Sequence, residues 1–364
     1  MVVGIVGVGL LGGSIGYILK RKNWAKKVIG IGRDENKLEK AIELKAIDEY
    51  ITIFDNRLKE IDILILCVPV LIIPNYIKKI IPYLKKGVII TDIGSTKGDI
   101  IREVEKILSD DHYFIGGHPM AGSEKTGVEA LDPYIFENAV YVLCKTKFSN
   151  EHSMNIIKDM VKILDANILE IDYELHDLAV ATVSHVPHVV ASSLVSNAGK
   201  IDNNTNNILS LAAGGFRDTT RIASGSPEMW KDICVTNADK IVSVIDNLQI
   251  ELNKFKSAIE KKDEEKLLEL FKNGKELRDS LPKKRKGILS TMFEMILYVP
   301  DKPGIIGTFT NLLGEHGINI KDIEVLHVRE NYGGSIRIAF DKNIDSNKAI
   351  KVLTENNYEF KVLE

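Results

Sequence analysis

The chain has 364 residues, more than a typical single domain holds, and this length predicts two or three domains. Apolar residues make up 45% of the chain and charged residues 27%, the balance of an ordinary globular protein. The net charge of −3 speaks against a nucleic-acid-binding surface, so locally placed cations must bind any anionic ligand.

The three cysteines, Cys67, Cys144 and Cys234, lie far apart in the sequence. Their odd number and wide spacing argue against a disulfide framework and against a paired metal site. The first residues lack the basic segment of a signal peptide, and no run of 18 uncharged apolar residues occurs. We therefore expect a cytosolic protein without a membrane span, a bound metal or a nucleic-acid partner.

Residues 1–170 alternate short apolar runs with amphipathic stretches. Helical patterns such as Leu11–Lys20 and Lys37–Leu44 separate runs that are short, β-branched and bounded by glycine or charge. The runs predicted as buried strands are VVGIVG, KVIGIG, ILILCV, GVIITDIG and AVYVLC. Strands that alternate with helices predict an α/β domain whose parallel sheet is covered on both faces.

Residues 171–282 have helix-spaced apolar positions and few strand signals, as in Asp239–Ile259, and predict an all-helical domain. The basic stretch PKKRKG begins at Pro282. A short basic segment between a helix and a strand is more often a solvated hinge than a nucleic-acid patch, so residues 283–291 are interpreted as a linker.

Residues 292–364 return to alternating strands and helices, and proline early and glycine late mark the first helix. The predicted strands are Met292–Val299, Ile318–Val328, Ser335–Phe340 and Tyr358–Leu363, and the predicted helices run from Pro303 to Gly317 and from Ser346 to Glu355. The order βαββαβ, with a hairpin between its second and third strands, is the ferredoxin-like arrangement.

The string GVGLLG, residues 7–12, matches the pattern G-x-G-x-x-G between a predicted strand and a predicted helix. In a dinucleotide-binding Rossmann domain, Gly7 permits the tight turn, Gly9 lets backbone approach a pyrophosphate, and Gly12 allows close helix–strand packing. The helix N-terminus adds free N–H donors. Residues 1–170 are therefore predicted to be a Rossmann-type domain that binds NAD or NADP, in preference to a domain whose glycines serve only a turn.

The residue that reads the cofactor ribose is expected about 20 positions beyond the fingerprint. Gly32, Arg33 and Asp34 stand there, after the second strand. A carboxylate favours NAD, whereas glycine followed by arginine leaves room for a 2′-phosphate and offers it a guanidinium. Asp34 lies one or two positions beyond the place where a ribose-binding carboxylate is expected. The pattern therefore favours NADP slightly and leaves NAD open. The alternative for Arg33 is an exposed loop charge without a role in cofactor binding.

Three further segments are rich in polar residues: Thr91–Lys97 at a strand's carboxyl end, a glycine-flanked loop over residues 116–125, and residues 176–188 in the helical block. The strings GVGLLG, DIGSTK, GGHPMAGSEKTG, HDLAVATVSHVPH and GGFRDTTRIASGSPEMW occur in this order. Together they resemble the prephenate dehydrogenase family, and the C-terminal domain extends the resemblance over nearly the whole chain.

The resemblance implies the oxidative decarboxylation of prephenate to 4-hydroxyphenylpyruvate and CO2, with reduction of NAD(P)+, in tyrosine biosynthesis. His118 matches the family's catalytic histidine; its neutral form can take the ring hydroxyl proton. Ser95 would orient His118 and contact the same hydroxyl. An isolated histidine would more often cap a turn, here before Pro119. The resemblance and the fingerprint assign cofactor contacts to Gly7, Gly9, Leu10, Leu11, Gly12, Arg33, Val68 and Ser95.

For the substrate, the resemblance implies that Arg221 grips a carboxylate through two hydrogen bonds. Arg217, four residues earlier, is a weaker candidate on the same helix face. His188 matches a histidine that binds the pyruvyl side, with Asp177 as its ion-pair partner. The two are 11 residues apart, about three helical turns, so one helix would align them approximately despite Pro187. The adjacent carboxylate would favour the imidazolium.

The remaining candidates are weaker. Ser123 and Glu124 match loop positions beside the substrate, and Glu124 is expected to close over the pocket and pair with Arg221. His185 and His188 have a spacing compatible with a metal, but no third ligand follows at a characteristic distance, and His185 is as readily structural. Trp230 belongs either to the core or to the pocket, which the resemblance allows to be that of a neighbouring subunit.

The strings YVPDKPGIIG, from Tyr298, and HGINI, from His316, resemble an ACT domain. The resemblance implies pairing of two such domains with an amino acid held at the seam by Gly304, Asn319 and Ile320. L-tyrosine is the expected effector, as end-product inhibitor, and a module that only dimerises is the alternative. The helices of 239–280 resemble the family's dimer scaffold, which implies a homodimer or higher homo-oligomer, with a self-contained bundle as the alternative.

Two other functions compete with this interpretation. The enzyme 3-phosphoglycerate dehydrogenase also joins a dinucleotide fold to an ACT domain, but its cofactor domain is inserted within the chain and it has no reason to carry GGHPMAGSE. A non-catalytic amino-acid sensor would not need His118, Ser95 and Arg221 together. Arogenate replaces the keto group of prephenate with an ammonium group, and no residue in the sequence decides between these two substrates.

Overall fold

The computed structural model describes residues 1–123, 125–205, 207–280, 292–328, 334–341 and 346–363. The chain forms two compact units, Met1–Lys283 and Lys284–Glu364. The predicted linker, 283–291, lies outside the described residues.

The first unit contains an eight-stranded sheet of the predicted Rossmann type. Its strands are β1 (Val2–Val6), β2 (Lys27–Ile31), β3 (Glu49–Ile51), β4 (Ile63–Leu66), β5 (Ile89–Asp92), β6 (Tyr113–Pro119), β7 (Val140–Cys144) and β8 (Asn167–Glu170). Their order is β3-β2-β1-β4-β5-β6-β7-β8. The pair β6–β7 is antiparallel, whereas the other neighbours are parallel. The strands β1, β2, β4, β5 and β6 therefore end at one common edge.

Alternation along the strands fills two cores, one on each face of the sheet. Ile5, Ile63 and Ile65 are buried in one core, and Val6 and Leu64 are buried in the other. Because successive strand residues point to opposite faces, continuous apolar runs such as Ile63–Leu66 require cover on both faces. The predicted two-sided burial is confirmed.

Helices of the first unit lie between the strands and then form the predicted helical block. They are α1 (Leu10–Arg21), α2 (Glu35–Glu43), α3 (Ile73–Ile80), α4 (Gly98–Ile107), α5 (Glu151–Ile163), α6 (Tyr173–Val180), α7 (Val186–Thr205), α8 (Gly214–Thr220), α9 (Pro227–Thr236), α10 (Ala238–Lys261) and α11 (Glu264–Ser280). A π-helical turn, Ala181–His185, joins α6 to α7.

Tyr173–Asp202 is one continuous helical run of 30 residues that contains a window of mean hydropathy 1.5. It is long and apolar enough to cross a membrane by length and composition alone, a test that buried core helices also pass, although no such segment was expected from the sequence. Exposed apolar side chains on this run are Leu175, Leu178, Val183, Leu194, Val195 and Ile201. The run also holds buried polar residues, among them His176 and Asp177.

The second unit has the predicted βαββαβ order: β9 (Met292–Val299), α12 (Ile305–Glu315), β10 (Ile320–Val328), β11 (Gly334–Asp341), α13 (Ser346–Glu355) and β12 (Glu359–Leu363). The sheet order is β10-β11-β9-β12, with antiparallel pairs. Leu297, Phe309 and Phe340 are fully buried in its core. The turn predicted at residues 331–334 falls largely outside the described residues.

Candidate active site

The glycine fingerprint forms the turn from β1 into α1. Gly7 has a φ of 86°, and a Cβ on it would lie 2.4 Å from the carbonyl oxygen of Cys67. A Cβ on Gly12 would lie 2.4 Å from the Gly7 oxygen, whereas one on Gly9 would meet nothing within 4 Å. Gly9 is the N-cap residue of α1, so no side chain caps the start of this helix, and the first turn of α1 has no acidic residue. The N–H groups from Leu10 onward can therefore bind a phosphate.

The neighbouring strand ends complete this edge. Val68, after β4, lies against the turn, because a Cβ on Gly7 would come within 2.9 Å of its Cγ1. Arg33 and Asp34 are exposed beyond the end of β2. Asp34 accepts a hydrogen bond from the Lys37 N–H at 3.2 Å and caps α2, and that bond lowers the pKa of its carboxyl. The chain's own glycines and amides thus fit a dinucleotide.

A buried ion pair lies where β5 ends. Asp92 and Lys97 are both 0% exposed, and Lys97 Nζ donates to Asp92. Asp92 also accepts from the N–H of Gly94 at 2.8 Å and of Gly117 at 3.2 Å. A buried charge requires such a partner and such hydrogen bonds. The pair ties the loop after β5 to β6, the strand that holds His118.

His118 lies on β6 opposite Val142 of β7, not in a loop as predicted from its flanking glycines. It is 9% exposed. Its Nδ1 lies 2.8 Å from Nε2 of His176. Burial, with added repulsion from His176, Lys97 and His185, lowers the pKa of His118 well below its usual value. The ring is therefore neutral near pH 7 and can accept a proton.

Ser95 does not orient this ring in the structure. It is half-buried in the loop between β5 and α4, and the described residues show no hydrogen bond between it and His118. The partner of His118 is His176, which was not among the residues predicted from the sequence. Its adjacency to Asp177 was the signal that could have found it.

The expected ion pair between Asp177 and His188 is wrong. Asp177 accepts from the N–H of Lys97 at 2.8 Å and of Gly98 at 2.7 Å, and it lies 2.8 Å from Nδ1 of His176. The reason is the π-helical turn between α6 and α7: its wider i→i+5 turns add residues per turn, so 11 residues no longer return to one face.

His188 stacks on Trp230 instead, with ring centroids 3.5 Å apart and an interplanar angle of 20°. Burial lowers the pKa of His188, so the predicted imidazolium is also wrong. A Cβ on Gly225 would lie 2.6 Å from Nε1 of Trp230 and 3.1 Å from Cε1 of His188, so only glycine fits between them. These two rings border a cavity of about 530 Å³ that extends along α7 and α9.

His185, within the π-helical turn, is buried and takes part in a structural network. Asn237 Nδ2 donates to the Asp177 carbonyl at 2.8 Å and lies 3.2 Å from His185 Nδ1. Burial lowers the pKa of His185 to about 4. Across the described part of the chain, no group of three or more His, Cys, Asp or Glu side chains is arranged to hold a metal.

The two arginines of FRDTTR lie on a different segment. Arg221 is exposed where α8 passes into a short 3-10 turn, and it forms no ion pair with any residue that the structure describes. Arg217 is exposed, and its Nε donates to the Ala212 carbonyl at 3.1 Å. Ser123 is exposed and accepts from the Lys125 N–H. Glu124 lies outside the described residues, so its predicted contact with Arg221 does too.

In the second unit, Gly304 and Asn319 lie beyond opposite ends of α12. Gly304, with φ of 83°, precedes α12, whereas Asn319 follows it and is exposed. Ile320 begins β10. The 11 residues of α12, at about 1.5 Å each, make a helix about 16 Å long between the two loops.

Models of known families match three parts of the chain. Residues 15–170 match the prephenate dehydrogenase nucleotide-binding domain, 172–273 the prephenate dehydrogenase dimerization domain, and 293–351 the ACT domain. The prephenate dehydrogenase of Bacillus subtilis (strain 168) is 36% identical over 346 residues, 95% of this chain and 93% of that protein. The chain belongs to the prephenate dehydrogenase family.

Solved structures of the family agree with the fold. Prephenate dehydrogenase from A. aeolicus, in complex with hydroxyphenyl propionate and NAD+, has a TM-score of 0.73 and 32% identity and covers 78% of this chain and 98% of its own. Synechocystis arogenate dehydrogenase has a TM-score of 0.69 and 30% identity and covers 78% and 100%. The predicted family and fold are confirmed, and this prephenate dehydrogenase family member is a nicotinamide-dependent dehydrogenase.

Proposed function

We propose that the chain oxidises and decarboxylates prephenate to 4-hydroxyphenylpyruvate and CO2, with His118 as the base. The observation that carries the proposal is a buried, neutral imidazole at the sheet edge that also holds the glycine turn. Its Nδ1 is engaged by His176, so Nε2 is the nitrogen available to a substrate hydroxyl. The nicotinamide, when bound, accepts the hydride from the same ring carbon.

The protein's own part is to hold the proton and the two carboxylates. His118 removes the hydroxyl proton as the hydride departs, and loss of CO2 then makes the ring aromatic. Arg221, exposed and without a described ion-pair partner, binds one carboxylate. Arg217 supports Arg221 at the rim of the pocket.

His188, which is neutral and stacks on Trp230, contributes a neutral ring N–H to the pyruvyl side of the substrate. Ser95 contacts the hydroxyl, and we assign Ser123 and Glu124 to substrate binding as well.

Steady-state kinetics with prephenate and arogenate, each with NAD+ and NADP+, test this proposal. We expect cofactor reduction with prephenate at the higher kcat/KM. Arogenate is the second candidate, because a family relative of 30% identity is an arogenate dehydrogenase. Reduction with neither substrate would contradict the proposal.

For the cofactor, exposed Arg33 supports slight NADP preference, and Arg33→Ala is then expected to lower affinity for NADP+ but not NAD+. The Asp34 carboxylate caps α2, so it is less available to accept a hydrogen bond from a ribose hydroxyl. An equal effect on both cofactors would contradict this assignment.

We further propose that L-tyrosine inhibits the enzyme through the second unit. Gly304 and Asn319 lie beyond opposite ends of α12, a helix about 16 Å long, and this supports a site in which the Gly304 loop of one copy meets the Asn319 loop of another. Inhibition that Asn319→Ala relieves without changing the uninhibited rate supports this site; competitive inhibition that persists in the variant contradicts it.

The assembly we propose is a cytosolic homodimer or higher homo-oligomer, with domains at 1–170, 171–282 and 292–364. Support comes from the exposed apolar side chains of α6 and α7, which lie in the segment that matches a dimerization domain.

A further inference from the structure

Behind His118 lies a line of hydrogen bonds that the proposed reaction leaves without a role. His118 Nδ1 is 2.8 Å from His176 Nε2, and His176 Nδ1 is 2.8 Å from Asp177 Oδ1. The exposed fractions of the three residues are 9%, 1% and 3%. The line therefore begins at the proposed substrate pocket and ends on a buried carboxylate.

The Asp177 carboxylate determines which ring nitrogens of His176 and His118 carry protons before the reaction begins. Burial raises the pKa of Asp177, but hydrogen bonds from His176 and from the N–H groups of Lys97 and Gly98 outweigh it, and the net shift is downward. Asp177 is therefore ionised and only accepts, so His176 Nδ1 carries a proton. A neutral His176 then accepts at Nε2 from His118 Nδ1–H, and His118 presents the Nε2 lone pair.

The surrounding charges determine where an added proton rests. Lys97, from the loop after β5, disfavours a charged His118, whereas His185, from the π-helical turn, disfavours a charge on either His118 or His176. A charged His176 instead has Asp177 Oδ1 at 2.8 Å. Opposite charges in contact interact more strongly in a buried site than in water, so the position beside the carboxylate holds the charge better.

We propose that His176, paired with Asp177, stores the substrate proton during the reaction and that His118 passes it in both directions. This inference rests on the proposed function. The substrate O–H bond breaks as an N–H bond forms at His118 Nε2, and the His118 Nδ1–H bond breaks as one forms at His176 Nε2. His118 ends neutral and His176 ends as an imidazolium. His176 acts through His118, so it is a positioning residue.

The overall reaction explains why storage is sufficient. The C–H electron pair leaves with the hydride for the nicotinamide, and the oxidised ring carries a ketone. When the C–CO2 bond breaks, its electron pair makes the ring aromatic and leaves a phenolate oxygen. That oxygen takes the stored proton back along the same line, so no net proton is released and no exit path to solvent is required.

The pH profile of kcat/KM with prephenate tests the proposal in the wild type and in His176→Gln. Without His176 the proton must stay on His118, where burial and Lys97 still disfavour it although the repulsion from His176 is gone. We expect the acid limb to move by about one pH unit to lower pH, a tenfold change in proton affinity, together with a lower plateau. Asp177→Asn should move the limb in the same direction. His152→Gln, an exposed histidine on α5, is the matched control with an unchanged profile.

A lower rate with an unmoved acid limb would overturn the proposal, because a role limited to holding the ring changes rate alone. A second measurement does not depend on activity. Nitrogen-15 NMR of the histidine-labelled protein, assigned with His118→Asn and His176→Gln, should show His118 protonated at Nδ1 at rest. On acidification His176 should gain its second N–H first. If His118 becomes the imidazolium first, the proposal fails even where prephenate oxidation is confirmed.

Discussion

The basicity of His118 is determined by its surroundings. A fully solvated imidazole titrates near pH 6.5, whereas burial beside Lys97 and two other histidines lowers the pKa of His118. The low pKa keeps the His118 ring neutral near pH 7, so the ring is available as a base. The same low pKa means that His118 holds the removed proton only weakly. The buried partner His176 compensates for this loss without exposing the site to water.

His118→Asn is expected to collapse turnover with a modest change in KM. An asparagine keeps a polar side chain on β6 but cannot take up the proton, and a positioned base contributes roughly 10²- to 10⁴-fold to the rate. Steady-state kinetics with prephenate measure the effect, and His152→Asn serves as the control. Retention of wild-type kcat would refute the assigned base.

Arg221→Ala should mainly raise the KM for prephenate, by about tenfold to a hundredfold, because a charged hydrogen bond to a carboxylate is lost. The change removes an exposed side chain that forms no described ion pair, so stability should be almost unaffected. Arg217→Ala is the matched comparison with a smaller effect. An unaltered KM in the first variant would remove Arg221 from the pocket.

At the scale of elements, the site is built from segments at the carboxyl ends of the strands. The turn after β1 supplies amides, the loop after β5 carries a buried ion pair, and β6 holds His118 near its own end. These strands are parallel, so the groups converge on one edge by topology. The helical block completes the site through α6, whose Asp177 caps the start of α4.

Alanine substitutions of two glycines in the turn after β1 should have different effects, one on cofactor affinity and the other on the stability of the fold. Gly9→Ala adds a Cβ that meets no protein atom within 4 Å, so the unfolding temperature should hold while affinity for the cofactor falls. Gly12→Ala places a Cβ 2.4 Å from a backbone oxygen and should destabilise the fold by about 1–3 kcal/mol. Calorimetric titration and thermal unfolding of both variants test this contrast; equal loss of stability would contradict it.

At the scale of the whole molecule, the 30-residue run from Tyr173 to Asp202 carries apolar side chains outward and polar groups of the site inward. A single chain leaves these apolar side chains in water, an unfavourable arrangement when they form a contiguous patch. Because the same run holds His176, Asp177 and His188, the proposed assembly and the proposed catalysis share one structural element.

Leu194→Glu, on the exposed side of α7, is therefore expected to dissociate the proposed dimer at micromolar concentration. Sedimentation velocity measures the change in mass. Ile53→Glu is the matched control, because Ile53 is 79% exposed and lies outside the segment that matches a dimerization domain. A variant that keeps the wild-type mass would exclude this face of α7 from the interface.

The sequence by itself determined the elements that depend on local patterns. The strands β1, β4 and β5, the long helix α10 and the whole βαββαβ unit follow from period, glycine and proline positions. The short strands β3 and β8 were missed because they are three and four residues long, and β6 because GGHP has glycines and proline where strands usually have β-branched residues.

Tertiary structure alone decided which polar groups meet. His118 and His176 are 58 positions apart, and Asp177 and Lys97 are 80 positions apart, so no local pattern reports their contact. The π-helical turn redirected Asp177 away from His188, and burial rather than residue type determined which histidine is neutral. Proton affinity depends on distances between side chains in a low-dielectric interior, and those distances exist only once the sheet and the helical block have packed.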